Sequence, residues 1–316
     1  MIRPAIRAVP MLAALLSAGA GRAEPFAYVP NEGSATLSII DTATDRVVGK
    51  IEAGARPRGL AFGRGGTHLY VADQRQNALL VVDLSARRTV GRIALGESPE
   101  GVGATADGRW VAVAIEATGS VALVDTAKDE VVATIKTTGT NPEHVAFSPD
   151  GKWLYVSAEG GRTVDVVDPA ARKTVASVEV GVRPRGIAFT PDGKRAYVAC
   201  EADNVVFAID VATHTPVAKI PAGAFANGLA MAPGGERVFV SNGRAASVSA
   251  IDTGKNEVVA TVAVGNRPWN MAVTPDGKKL YVANGRSGTV SVVELATFTR
   301  LADVPVGELP WGVVIR

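Results

Sequence analysis

A chain of 316 residues, 47% of them apolar, is long enough to bury a large core. Its formal charge of +2 creates no field that would draw it to nucleic acid or to an anionic membrane. A single cysteine, Cys200, excludes an intramolecular disulfide, and the lack of Cys-x-x-Cys-His excludes an attached c-type haem.

Residues 1–23 read as a secretory leader. Arg3 and Arg7 give a basic start, Ala8 to Gly21 is a short apolar run, and Gly21 and Ala23 are the small residues a signal peptidase requires. Cleavage is expected after Ala23, with Ala20 as the alternative, and the mature chain is then periplasmic or secreted. The run is too short for a membrane span. Losing Arg3, Arg7 and Arg22 leaves 30 basic against 31 acidic residues, a charge of −1.

From residue 24 onward the chain repeats. A Gly-x-x-Pro opening can be marked at Gly54, Gly96, Gly139, Gly181, Gly223, Gly265 and Gly307, at intervals of 42 or 43 residues. Each unit holds four short strands, A to D. Strand A is an apolar run such as Gly186–Phe189, followed by a Pro-Asp-Gly turn (149–151, 191–193, 275–277). Strand B carries Tyr-Val pairs (Tyr70-Val71, Tyr155-Val156, Tyr197-Val198, Tyr281-Val282), strand C ends in aspartate, and strand D resembles Val258–Val262. A four-stranded sheet with two apolar faces must stack on its neighbours, and radial closure achieves that. The ends set the blade number. Phe26–Val29, Thr36–Asp41 and Arg46–Ile51 supply strands B, C and D, and Trp311–Ile315 supplies the missing strand A. The expectation is all-β: one seven-bladed propeller over residues 24–316, latched three strands to one.

At Tyr28-Val29-Pro30-Asn31 and Tyr281-Val282-Ala283-Asn284, with the Pro-Asp-Gly turns and Asp41-Thr42-Ala43-Thr44, the pattern resembles the YVTN family of β-propellers over residues 26–316. The loops Gly54–Gly59, Gly96–Gly101 and Asn141–Glu143 resemble a subgroup associated with PQQ-dependent alcohol catabolism. That resemblance implies an accessory role beside periplasmic quinoproteins and c-type cytochromes.

Positions filled alike in every blade serve the blade, and positions that differ are free for function. Asp41, Asp83, Asp125, Asp168, Asp210, Asp252 and Glu294 are therefore read as turn residues bonding nearby backbone. The D–A loops vary. After the proline stand Arg58, Glu100, Glu143, Arg185, Asn227, Trp269 and Trp311; before it stand Arg56, Ser98, Asn141, Arg183, Phe225, Arg267 and Leu309. These rim one mouth of the channel, with an acidic arc of Glu100 and Glu143 flanked by arginine pairs. Phe225, Trp269 and Trp311 form an aromatic arc. Strand A begins with Gly59, Gly101, His144, Gly186, Gly228, Asn270 and Gly312, so His144 breaks a glycine column. It is expected to fill space left by the one-residue insertion between Ile135 and Gly139, with a role as base or ligand as the alternative.

No Gly-x-Gly-x-x-Gly, Walker loop, zinc spacing or nucleophile elbow is present, so no cofactor or metal is expected. The main expectation is a non-catalytic, monomeric binding propeller for a small anionic or planar ligand. A periplasmic partner, either a quinoprotein dehydrogenase or a cytochrome c, is the other candidate occupant. The alternative is a propeller lyase or lactonase using His144 or Glu143. Further alternatives are single-stranded nucleic-acid binding, against which charge argues, and haem d1 binding with His144 as the ligand.

Overall fold

A computed structural model describes residues 25–316 as seven four-stranded antiparallel sheets. The leader lies outside the described residues. The first blade comprises Pro57–Gly63, His68–Asp73, Ala78–Asp83 and Arg88–Ala94, and five more of the same order follow, the sixth ending at Pro305. The seventh joins Val314–Ile315 to Phe26–Asn31, Thr36–Asp41 and Arg46–Glu52, with Tyr28 opposite Val314 and Ala27 opposite Ile315. Seven blades and the three-to-one closure are thus as the repeat implies. Among the described residues the only helical turn is a 3-10 turn at Arg64–Gly66, and no helix is long and apolar enough to cross a membrane.

The closing strand is shorter than the sequence implies. Trp311 donates its N–H to Pro30 O at 2.9 Å, but the ladder resumes only at Val314. Between them the chain leaves the sheet, and the Trp311 side chain lines the cavity at the channel mouth. Blade-to-blade packing falls on strands B and C, which are buried almost end to end; Tyr70, Tyr155, Tyr197 and Tyr281 are wholly buried. Strands D form the outer edge and alternate exposed and half-buried residues. In every blade a bulge interrupts the C–D ladder at the same place, as at Val81/Val82 and Val292/Val293. A bulge twists an exposed edge away from edge-to-edge pairing.

The ring of C-strand carboxylates serves turns. Asp41 accepts the N–H of Ala43 at 2.8 Å, and Asp125, Asp168 and Asp252 make equivalent bonds. Along the axis the innermost strands approach so closely that side chains are excluded. A Cβ on Gly101 would lie 2.5 Å from the Glu143 carbonyl oxygen, and one on Gly186 would lie 2.7 Å from that of Asn227. Only His144 and Asn270 carry side chains in this column, and both fill the channel.

Candidate functional site

The D–A and B–C loops meet at one mouth of the channel around a cavity of about 420 Å³. Of the residues expected there, Arg56, Arg58, Glu143, His144, Arg185, Asn227, Arg267, Trp269 and Trp311 line it. Glu100 lies fully buried behind Arg58, Arg183 stands behind Glu159, and Phe225 lines a separate depression beside Arg267.

Sequence reasoning missed a second column, the first residue after each strand B. It reads Glu32, Gln74, Glu116, Glu159, Glu201, Gly243 and Gly285, on the same period as the proline loops. Comparing that column blade by blade would have found it. Glu32, Glu159 and Glu201 pair with the D–A loop arginines, and Glu116 accepts from Ser98 Oγ at 2.8 Å. Arg56 and Arg58 converge on Glu32, with Nε to carboxylate distances of 2.6 and 3.1 Å, and Arg58 also grips Glu100. Gln74 Nε2 donates to Glu100 at 2.6 Å. Arg185 reaches Glu143 at 2.6 Å, Glu159 at 2.9 Å and Glu201 at 3.2 Å, while Arg267 donates to the other oxygen of Glu201 at 2.9 Å. Arginine suits such a cluster because its planar fork can satisfy several carboxylates at once.

Glu32, Glu100, Glu116, Glu143, Glu159 and Glu201 outnumber Arg56, Arg58, Arg183, Arg185 and Arg267 by one. Oxygens of Glu116, Glu143 and Glu159 come within 4.8 Å of one another. Like charges that close cannot all remain ionised. Glu143 takes up the proton. Burial, opposed by Arg185 and reinforced by the Glu100 and Glu159 charges, pushes it up to about 8. Glu159, though burial works against it, is held below the ordinary range by Arg185 and Arg183.

His144 and Asn270, 126 residues apart, meet across the channel with His144 Nε2 3.1 Å from Asn270 Oδ1. Asn270 donates its Nδ2 to Trp311 O at 3.3 Å, which turns its oxygen toward the imidazole and places the ring proton on Nε2. Nδ1 then carries a lone pair, sealed from solvent and without a partner. The ring lies stacked on Trp311, with centroids 5.4 Å apart and an interplanar angle of 16°. Burial first, then the field of Arg185, pushes its pKa down to about 4, so the imidazole is neutral near pH 7. The loop that carries the inserted residue is held by Asp165, which accepts the N–H groups of Thr138 at 2.6 Å and Gly139 at 3.1 Å.

These two shifts work on stability in opposite directions. Glu143 has a folded value above its ordinary 4.5. Its contribution is full below about pH 4.5 and is lost as pH rises toward 8. His144 has a depressed value, so the cost of protonating it grows as pH falls from 6.5 toward 4. In Glu143→Gln the first effect is absent. Its melting temperature, followed against pH, is expected to rise from pH 5 to about 6.5 and then stay level to pH 8, while that of the parent falls between pH 6.5 and 8; parallel curves above pH 6.5 would show that Glu143 does not hold the proton.

A closed seven-bladed propeller whose channel mouth holds a neutral imidazole, a protonated carboxyl group and several guanidiniums belongs to the class of propellers with an enclosed polar site. The chain belongs to the seven-bladed β-propeller lactonase family, whose profile matches residues 91–304. Residues 24–141 match the profile of the cytochrome D1 heme domain. Hydrazine synthase from Kuenenia stuttgartiensis is similar in structure at 25% identity, with a TM-score of 0.78 over 85% of this chain and 92% of that one. A functionally unknown protein from Desulfotomaculum acetoxidans superimposes with a TM-score of 0.81 at 16% identity, over 92% and 98% of the two chains. Dihydro-heme d1 dehydrogenase NirN in complex with DHE does so with a TM-score of 0.68 at 18% identity, over 92% and 74%. The last two share the fold. No curated protein sequence matches the chain.

The family match overturns the expectation of a non-catalytic binding propeller accessory to quinoprotein oxidation. The physical reason lies in the mouth itself. A docking surface has no use for a sealed, unpaired imidazole nitrogen or a carboxyl group that keeps its proton at neutral pH.

Proposed function

We propose that the chain is a lactonase-type hydrolase whose active site is the channel mouth. One observation carries the reading: His144 lines the cavity with a bare Nδ1 lone pair, its tautomer set by Asn270 and its ring held by Trp311. An unpaired buried acceptor costs about 1–3 kcal/mol, a cost a purely structural residue would avoid. Nδ1 is covered until a lactone enters the mouth; it then takes a proton from water as the water oxygen bonds to the lactone carbonyl carbon. The carbonyl electrons move onto oxygen, where the Arg185 or Arg58 guanidinium stabilises the charge. Collapse breaks the ring C–O bond, and the Glu143 carboxyl group gives its proton to the departing alkoxide. The proton on His144 then restores Glu143, and the product is one hydroxy acid per lactone.

His144 must be neutral and Glu143 protonated. Hydrolysis of a panel of γ- and δ-lactones, followed by acid release in a pH-stat, is expected to rise through about pH 4 and fall through about pH 8. Absence of turnover with every lactone would remove the reading.

The match of residues 24–141 to the D1 heme domain raises a second possibility, a tetrapyrrole ligated by His144. The residues do not fit it. Nε2 is committed to Asn270, and the arginines of the mouth are already answered by glutamates, which leaves no charge to hold a tetrapyrrole's carboxylates. Within the family the repeat is read as YVTN-type on its Tyr-Val-x-Asn strands. If residues 1–23 are a secretory leader, as their basic start and short apolar run suggest, the reaction lies outside the cytoplasm.

A further inference from the structure

Blades can be compared position by position on the outer wall of the ring as well as at its mouth. In the second, third and sixth blades strand D carries one cation and one anion: Glu130 and Lys136, Lys173 and Glu179, Arg300 and Asp303. The fourth has Lys219 alone and the fifth Glu257 alone. The seventh and first blades differ. Arg46–Glu52 and Arg88–Ala94 together carry Arg46, Lys50, Arg88 and Arg92 against the single carboxylate of Glu52. This excess is local, because residues 24–316 hold 30 basic against 31 acidic residues.

The two strands lie side by side. Thr89 Oγ1 donates to the carbonyl oxygen of Glu52 at 3.2 Å and ties one to the other. At the fourth place of strand D five blades have alanine (Ala133, Ala176, Ala218, Ala260, Ala302); these two have glycine, Gly49 and Gly91. A Cβ on Gly49 would crowd Arg87 Nη1 at 3.3 Å, so the bare backbone gives that guanidinium its place across the seam. Among the described residues Arg46, Arg87, Arg88 and Arg92 have no carboxylate within ion-pair distance, and Lys50 meets only Glu52, at 3.5 Å with both largely exposed. Asp41 and Asp83 stand opposite Arg46 and Arg88 in the ladder but accept turn N–H groups instead. Exposed valines, here Val47, Val48 and Val90, are common to the ring; the clustered unpaired arginines are confined to this wall.

We propose that the paired outer strands Arg46–Glu52 and Arg88–Ala94 form a docking wall for an acidic segment of a partner protein. Charge complementarity fixes the sign of the occupant. Arginine dominates the wall, and its planar fork matches carboxylates, while protein interfaces favour it over lysine. An anionic bilayer is better held by exposed Trp, Phe or Leu among the cations, and this wall exposes none of them. The bulges at Ile39/Ile40 and Val81/Val82 turn both edges away from backbone pairing, so recognition falls to the side chains. The wall lies on the outer circumference, apart from the channel mouth, and docking there does not depend on the reaction proposed for His144.

The test follows binding of a labelled peptide of alternating glutamate and valine by fluorescence anisotropy. It compares the parent chain with R46S/R88S and with K173S/K255S, which makes the same charge change at exposed lysines of the third and fifth blades. Arg46 and Arg88 are exposed, and among the described residues their side chains make no hydrogen bond, so R46S/R88S is expected to keep the parent's Tm. R46S/R88S is expected to weaken peptide binding at least about tenfold and to flatten its salt dependence. K173S/K255S is expected to leave both unchanged. Equal weakening in the two variants would trace binding to overall charge and overturn the wall, as would a parent chain that does not bind the peptide. Phosphatidylglycerol vesicles that bind the parent where the peptide does not would assign the wall to a membrane and overturn the proposal as well.

Discussion

Replacing His144 is expected to lower kcat/KM by about 10²–10⁴-fold, the range a general base contributes. Alanine leaves Asn270 Oδ1 unpaired and strips the face of Trp311, so a loss with that variant mixes chemistry with structure. His144→Gln separates them: an amide can still donate to Asn270 but has no basic nitrogen. Its melting temperature is expected to stay within a few degrees of the parent while the rate falls as far as in alanine. Asn270→Asp supplies the complementary readout. A carboxylate beside Nε2 favours the imidazolium and raises the His144 pKa, so the acid limb of the rate profile moves to higher pH. An unaltered rate in His144→Gln, or a stationary acid limb in Asn270→Asp, would dismiss His144 as the base.

Removing Leu309–Arg316 is expected to open the ring. The deletion takes away Val314–Ile315 and the bonds Phe26 N to Arg316 O (2.7 Å), Arg316 N to Phe26 O (3.0 Å) and Trp311 N to Pro30 O (2.9 Å). It also removes Trp311 and Val313, both buried. At about 1.5–3 kcal/mol per buried side chain the direct loss is on the order of 5 kcal/mol. At ~2–4 °C per kcal/mol, that is a fall of at least about 10 °C in melting temperature. The exposed edge of Phe26–Asn31 then offers unpaired backbone groups to a second chain. Calorimetry and gel filtration check both outcomes, and a truncated chain that stayed monomeric with an unchanged Tm would contradict the latch. The same deletion removes the surface on which His144 stacks, so activity is expected to go with the fold.

The blade register was legible because its causes are local. Gly151, Gly193 and Gly277 stand in the left-handed region with φ near 70°, as the Pro-Asp-Gly turns require. The glycine column beginning strand A follows equally simply from backbone approaching backbone along the axis. That argument marked His144 as an exception; Asn270 breaks the same column and was passed over. Nothing local said that the two exceptions touch. The glutamate column after strand B went unread because the search stopped at the proline loops, where arginine and tryptophan drew attention. Those arginines are answered from the other set of loops.

By itself, the sequence determined the repeat, the seven blades, the three-to-one closure and the face on which variation collects. Each rests on short-range turn chemistry and strand alternation repeated at a constant interval. Only the tertiary structure decided that Arg185 gathers glutamates from three places, that Glu143 keeps a proton and that His144 presents a bare nitrogen. Those outcomes depend on distances of a few ångströms between residues from different blades, and on burial that turns proximity into shifted protonation.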